Sequence, residues 1–213
     1  MVIVKIILFV FIFRCFSFFF SQFKRFNMKS IRIIFQKIKV VFKKIYRVLN
    51  EKKSSDVVWK ELVALHKTSG WNYGQFDKEN RIECSFKVDE TNSIDFNYVV
   101  SYDKLIFRAI ILTSFDEEKT NDVLVLASHF NGLMRFGVVK VNIEYNYVEY
   151  VYYGDLFMYS IFPGEIDSDM STHFNYTKDC FWSFTNLIET GDDPVFVFSE
   201  LMRRNSKEDD TGN

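Results

Sequence analysis

The sequence predicts an α+β domain, an antiparallel sheet with helices in the order α-β-β-β-α-β-β-α, preceded by an N-terminal helical arm. Three observations carry this. Apolar residues alternate with period two in several short runs, they recur at three- and four-residue spacing in the longer segments between, and charge divides near residue 53. With 48% apolar residues in 213, the chain can bury a core, which excludes general disorder. Eight Gly and two Pro imply regular elements joined by short loops. The Phe, Ile, Lys and Asn bias also fits an AT-rich coding sequence, so aromatic content alone argues for no binding site.

Up to Lys53 there are thirteen Lys/Arg against one acid, Glu51, leaving 14 Lys/Arg and 27 Asp/Glu for residues 54–213. A basic arm therefore precedes an acidic body. Residues 1–27 are apolar. Val2–Phe20, "VIVKIILFVFIFRCFSFFF", has the length needed to cross a bilayer core. Arg14 near its centre costs roughly 2.5–3.5 kcal/mol, which the surrounding Ile, Val, Leu and Phe offset at roughly 0.3–0.6 kcal/mol each. The basic cluster comes after the apolar run, the reverse of a cleaved signal peptide. If the run spans, Lys24, Arg25, Lys29 and Arg32 hold its C-terminal side in the cytoplasm. Met28 offers a second start of translation, which would make the protein peripheral.

Residues 28–53 form a basic amphipathic helix in this reading. Ile31, Ile34, Phe35, Ile38, Val41, Phe42, Ile45, Val48 and Leu49 fall on one helical face, and Arg32, Lys37, Lys39, Lys43, Lys44 and Arg47 occupy most of the rest. Such a helix lies in the plane of an anionic membrane surface. It could instead enter a partner's groove or pack on the chain's own acidic body.

The body, 54–204, opens with Ser54, Ser55 and Asp56 as caps for a helix carrying Val57, Val58, Leu62 and Leu65 and ending near Gly70. Ile82, Cys84, Phe86 and Val88 form one strand face, and Ile94, Phe96, Tyr98 and Val100 the next. "KLIFRAIIL", Lys104–Leu112, is apolar on both faces apart from Arg108, as in a strand at the sheet centre or covered on both sides. Hairpin-sized connections make these three an antiparallel meander. Asp116–Phe136 returns to helical spacing through Val123, Ala127, Phe130 and Met134, with Gly137 as its C-cap. Val139, Val141, Ile143 and Tyr145 then form a strand that turns near Asn146 into Val148, Tyr150 and Tyr152. A long helix, Glu165–Thr190, has Met170, Phe174, Phe181, Phe184 and Ile188 on its apolar line and closes at Gly191. Asp193 and Pro194 cap and start a short terminal helix, and 205–213 is a polar, disordered tail.

The stretches "LASHFNGLMRFGVVKVNIEYNYVEYVYYGDL" and "HFNYTKDCFWSFTNLIE" resemble the YbjN family, over about residues 75–201. The resemblance implies the fold of the type III secretion chaperones and a non-enzymatic, protein-binding, chaperone-like or regulatory role, often as a homodimer. It supplies no catalytic residues, and the basic arm departs from its pattern.

Three cysteines, Cys15, Cys84 and Cys180, stand far apart with no C-x-x-C pair, so neither a disulfide framework nor a zinc site is suggested, and no cofactor is implied. Cys84 reads as a small buried apolar residue. The best candidate for binding a protein partner is the tyrosine cluster Tyr145, Tyr147, Tyr150, Tyr152 and Tyr153, since half-exposed tyrosine supplies large contact area. Some of these could instead cover the sheet's helix-packed face. An alternative is a metal-dependent hydrolase using Asp169 and His173, which share a helix face at i, i+4, although two ligands do not make a site. His66 and His129 read as ordinary half-buried residues. Nucleic acid is disfavoured, because the acidic body repels phosphate.

Overall fold

A computed structural model of the chain describes residues 36–39 and 51–211. The chain divides into two units, Met1–Tyr46 and Arg47–Asn213. In the first, residues 36–39 are helical, with Lys37 and Lys39 exposed and Ile38 half-buried. The other residues read as membrane-binding, Arg32, Ile34, Phe35, Phe42, Lys43, Lys44, Ile45 and Arg47, lie outside the described residues, as does the apolar run 2–20. Among the described residues no helix is long and apolar enough to cross a membrane.

The second unit is α+β. Helix α1 (Glu51–Thr68) leads into β1 (Tyr73–Phe76), β2 (Arg81–Lys87), β3 (Ser93–Val100) and β4 (Lys104–Leu112). Next come a 3-10 turn (Glu117–Lys119) and α2 (Thr120–Leu133), then β5 (Val138–Asn142), β6 (Tyr147–Asp155), α3 (Leu156–Ile161), α4 (Glu165–Thr190) and α5 (Pro194–Thr211). The strands form one six-stranded sheet in the order β1-β2-β3-β4-β6-β5, all neighbours antiparallel. The order therefore contains a strand, β1, and a short helix, α3, beyond those expected from the sequence.

Side chains alternate across a strand, so one parity faces the helices and the other does not. Ile82, Ile94, Phe96, Tyr98, Leu105, Phe107 and Ala109 pack with Val58 and Leu62 of α1 and with Ile166 and Met170 of α4 in one core. Val139, Val148 and Tyr150 pack with Val123, Leu126 and Phe130 of α2, Phe184 and Leu187 of α4, and Val197 and Leu201 of α5 in a second. Val99, Ile106, Ile110 and Val151 occupy the opposite parity and belong to neither core. This explains "KLIFRAIIL": β4 is a central strand, flanked by β3 and β6, whose second face is only half-buried at Ile106 and Ile110.

Local chemistry sets the boundaries, and in four places it departs from the sequence expectation. Helix α1, described from Glu51 onward, runs through Ser54, which is buried within it rather than capping it. Helix α2 ends at Met134, whose backbone is extended, so Gly137 is not its cap. Gly137 has φ +72°, and a Cβ there would stand 2.6 Å from the Tyr150 ring; the glycine serves the entry to β5 and the packing of that tyrosine. Strand β5 stops at Asn142, leaving Ile143 and Tyr145 in the turn and exposed. The turn does pivot at Asn146, with φ +50°. Helix α4 has the expected bounds and closes on left-handed Gly191. Asp193 Oδ1 accepts from Val195 N at 2.8 Å and Phe196 N at 3.3 Å, the N-cap expected ahead of Pro194. Helix α5 then runs 18 residues, longer than a short terminal segment.

Candidate functional site

The five tyrosines of the β5–β6 hairpin do not form one surface. Tyr145 sits in the turn at 68% exposure, and Tyr147 begins β6 half-buried. Tyr150 has the parity that faces the helices. It is fully buried and donates from its hydroxyl to the Phe136 carbonyl at 2.6 Å. Burial pushes its phenol well above the ordinary tyrosine range, so it remains a donor. Tyr150 is therefore a core residue, a correction to its place in the expected partner-binding cluster. Tyr152 shares that parity and donates to Asp169 Oδ2 at 3.1 Å. Tyr153, one residue on, points the opposite way and is 43% exposed.

Behind Tyr150 lies helix α4, and its buried stripe is shifted from the expected apolar line. The buried positions are Ile166, Met170, His173, Thr177, Cys180, Ser183, Phe184 and Leu187, while Phe174, Phe181 and Ile188 are half-buried. His173 is thus placed at the centre of the domain. Its ring stacks on Tyr150 at 4.9 Å and is ringed by Phe96 and Phe107 at 5.7 Å each and Tyr98 at 6.4 Å. Neither ring nitrogen has a hydrogen-bond partner. Burial pushes the imidazole down to about 3, and the Tyr150 backbone opposes that shift without meeting hydrogen-bond geometry. At neutral pH His173 is an uncharged aromatic plate.

Asp169, one turn earlier, accepts hydrogen bonds on Oδ2 from both Tyr152 and Tyr159, the latter the shorter. Burial first, then this bond, pushes the Tyr159 phenol well above its usual range. The two residues of the hydrolase reading therefore face different surroundings: the carboxylate is engaged by phenols, and the imidazole is enclosed by rings. Among the described residues no three His, Cys, Asp or Glu side chains are grouped to hold a metal ion.

A thiol–imidazole pair that sequence reasoning missed lies in the first core. His66 Nδ1 is 2.9 Å from the Leu62 carbonyl, which only accepts, so Nδ1 carries the proton and Nε2 faces Cys84 Sγ at 3.9 Å. Cys84 is 7% exposed, and burial followed by the Asp95 charge pushes its thiol up to about 12. A nucleophilic cysteine needs the opposite shift. The pair is a core contact, and His66 is fully buried rather than half-buried.

The exposed end of the sheet presents a different chemistry. Lys140 of β5 donates to Tyr153 Oη at 2.7 Å, and its ammonium lies 5.1 Å from that ring's centroid. Lys104 of β4 lies 5.5 Å from the same centroid. Beside them a cleft of about 420 Å³ is lined by Lys104, Tyr153 and Phe157, with Ser54 of α1 on its wall. Lys140 and Tyr153 share a parity that can be counted outward from the Asn146 turn. Lys104 joins them only through the β4–β6 register, in which Lys104 pairs with Asp155 and Ile106 with Tyr153.

Comparison with protein-family models, curated proteins and solved structures finds no match, and the YbjN resemblance draws no support from it.

Proposed function

We propose that the chain is a non-enzymatic protein-binding, chaperone-like or regulatory module held at a membrane surface, with its α+β body on the cytoplasmic side. The observation that carries this is the division of charge. A stretch with thirteen cations and one acid, whose apolar residues keep helical spacing, precedes a body in which acids outnumber bases 27 to 14. Anionic lipid attracts the first. Exposed Tyr145 and half-buried Tyr147 at the hairpin tip are the side chains offered to a protein partner. The YbjN resemblance supports a binding role rather than turnover.

Vesicle sedimentation tests the membrane part, using a chain begun at Met28. The parent is expected to pellet with anionic vesicles at low salt and to release as salt rises. Exchanging Lys37, Lys39, Lys43 and Lys44 for Glu removes about 1 kcal/mol of attraction per cation and abolishes pelleting. A parent that ignores anionic vesicles, or a Glu variant that pellets as well as the parent, overturns the reading.

A further inference from the structure

We propose that the end of the body carrying Lys104, Lys140, Tyr153, Phe157 and Met158 is a second lipid-contacting surface, which seats an anionic lipid headgroup between the two lysines. This rests on the membrane-surface reading above and extends it to residues outside the arm.

Two ammonium groups converge on one phenol. Lys140 donates to Tyr153 Oη at 2.7 Å, and Lys104 stands over the same ring. Neither lysine pairs with a carboxylate among the described residues, although Arg81, Arg108 and Arg203 all do. Because Lys140 uses the phenol as acceptor, the Tyr153 O–H is left to donate outward. Two cations and a hydroxyl donor facing the surface make a seat for an oxyanion. The nearby Asp155, cross-strand partner of Lys104, keeps its charge while its Oδ1 accepts from Phe157 N at 2.8 Å and Met158 N at 3.2 Å as the cap of α3. Asp103 and Asp155 line the cleft with Lys104, whereas Lys140 lies outside that lining, so the headgroup seat is placed at Tyr153 on the Lys140 side, away from the two carboxylates.

The neighbouring side chains select lipid over a free anion. Helix α3, "LFMYSI", carries no charge and leaves Phe157 41% and Met158 46% exposed beside the cleft. Apolar and aromatic side chains flanking lysines suit a bilayer interface, where rings sit at headgroup depth and ammonium groups reach phosphate. Nucleic acid fits less well, since nothing in phosphate recognition calls for the exposed Phe–Met pair.

The test uses the full chain with phosphatidylcholine vesicles, with and without phosphatidylserine. Lys104→Gln/Lys140→Gln is expected to weaken binding to the anionic vesicles on the order of tenfold, two cations near the lipid being lost. In a separate Phe157→Trp variant, brominated lipid is expected to quench the introduced tryptophan beyond any quenching of the parent. Parent-like binding by the lysine variant, or no added quenching, overturns the second surface while leaving the arm's role intact. Protection of the lysines by inorganic phosphate without that quenching marks a free-anion site and overturns it too. If the parent itself ignores anionic vesicles, the membrane reading fails and this one fails with it.

Discussion

The His173 imidazole lies parallel to the Tyr150 ring, with centroids 4.9 Å apart and planes 16° from each other, and neither of its nitrogens is hydrogen-bonded. A helix residue and a central-strand residue thus meet through their flat faces, and burial there favours the neutral imidazole.

Acid should therefore destabilise the domain through this histidine. His173 ionises near 3 when folded and near 6.5 when unfolded, so the unfolded chain binds the extra proton. Stability is complete above about pH 6.5 and falls toward pH 3 at up to about 1.4 kcal/mol per pH unit for this group. His66, also lowered by burial, adds in the same direction. Urea unfolding at pH 7, 5 and 4 should show the loss, and His173→Phe should flatten it. An equal pH slope in the variant would sink the idea.

Gly137→Ala should cost about 2–4 kcal/mol, because it combines a left-handed backbone with a Cβ 2.6 Å from the Tyr150 ring. Gly132→Ala is the control. That glycine lies in α2 with open space at its Cβ, so the substitution should stabilise by about 0.4–1 kcal/mol. Thermal or urea unfolding of the two variants should move in opposite directions.

Asp169→Ala should cost about 2–3 kcal/mol by stranding the Tyr152 and Tyr159 hydroxyls that share Oδ2. In Tyr159→Phe the same aspartate change should cost measurably less, since one stranded donor is gone. A double-mutant cycle from urea unfolding gives the coupling, and a coupling of zero would show that the phenols find other partners.

Asp193→Ala should cost about 1 kcal/mol, the usual loss when an N-cap carboxylate that accepts two backbone N–H bonds is removed. Asp193→Asn should recover most of it. Both changes are read from the urea midpoint at constant m.

Legibility in the sequence tracked the range of the interaction. Helix α4 and its ends were plain because Gly191, Asp193 and Pro194 act within one turn of themselves. Strands β2 and β3 are plain because each alternates over seven or eight residues, and β4 because its nine residues are apolar on both faces apart from Arg108. Strand β1, "YGQF", was not: four residues at a sheet edge leave too little pattern, and only pairing with Arg81–Cys84 makes them a strand. Gly137 reads in the sequence as a helix cap because positive φ serves a cap and a strand entry alike. The tyrosines read as one cluster because alternation splits Tyr152 from Tyr153 but does not say which parity meets the helices. Lys104 was invisible as a neighbour of Lys140, since their proximity depends on a register between strands about forty residues apart.

The placement of β6 between β4 and β5 leaves a mark on how the chain must be made. The meander β1–β4 is finished at Leu112, yet the strand that seals the far side of β4 is complete only at Asp155. At ribosomal speed that gap amounts to roughly 2–9 s, during which a nascent chain displays the open backbone of Lys104–Leu112, one of its most apolar strands. Until the hairpin arrives, the nascent protein carries an adhesive flank.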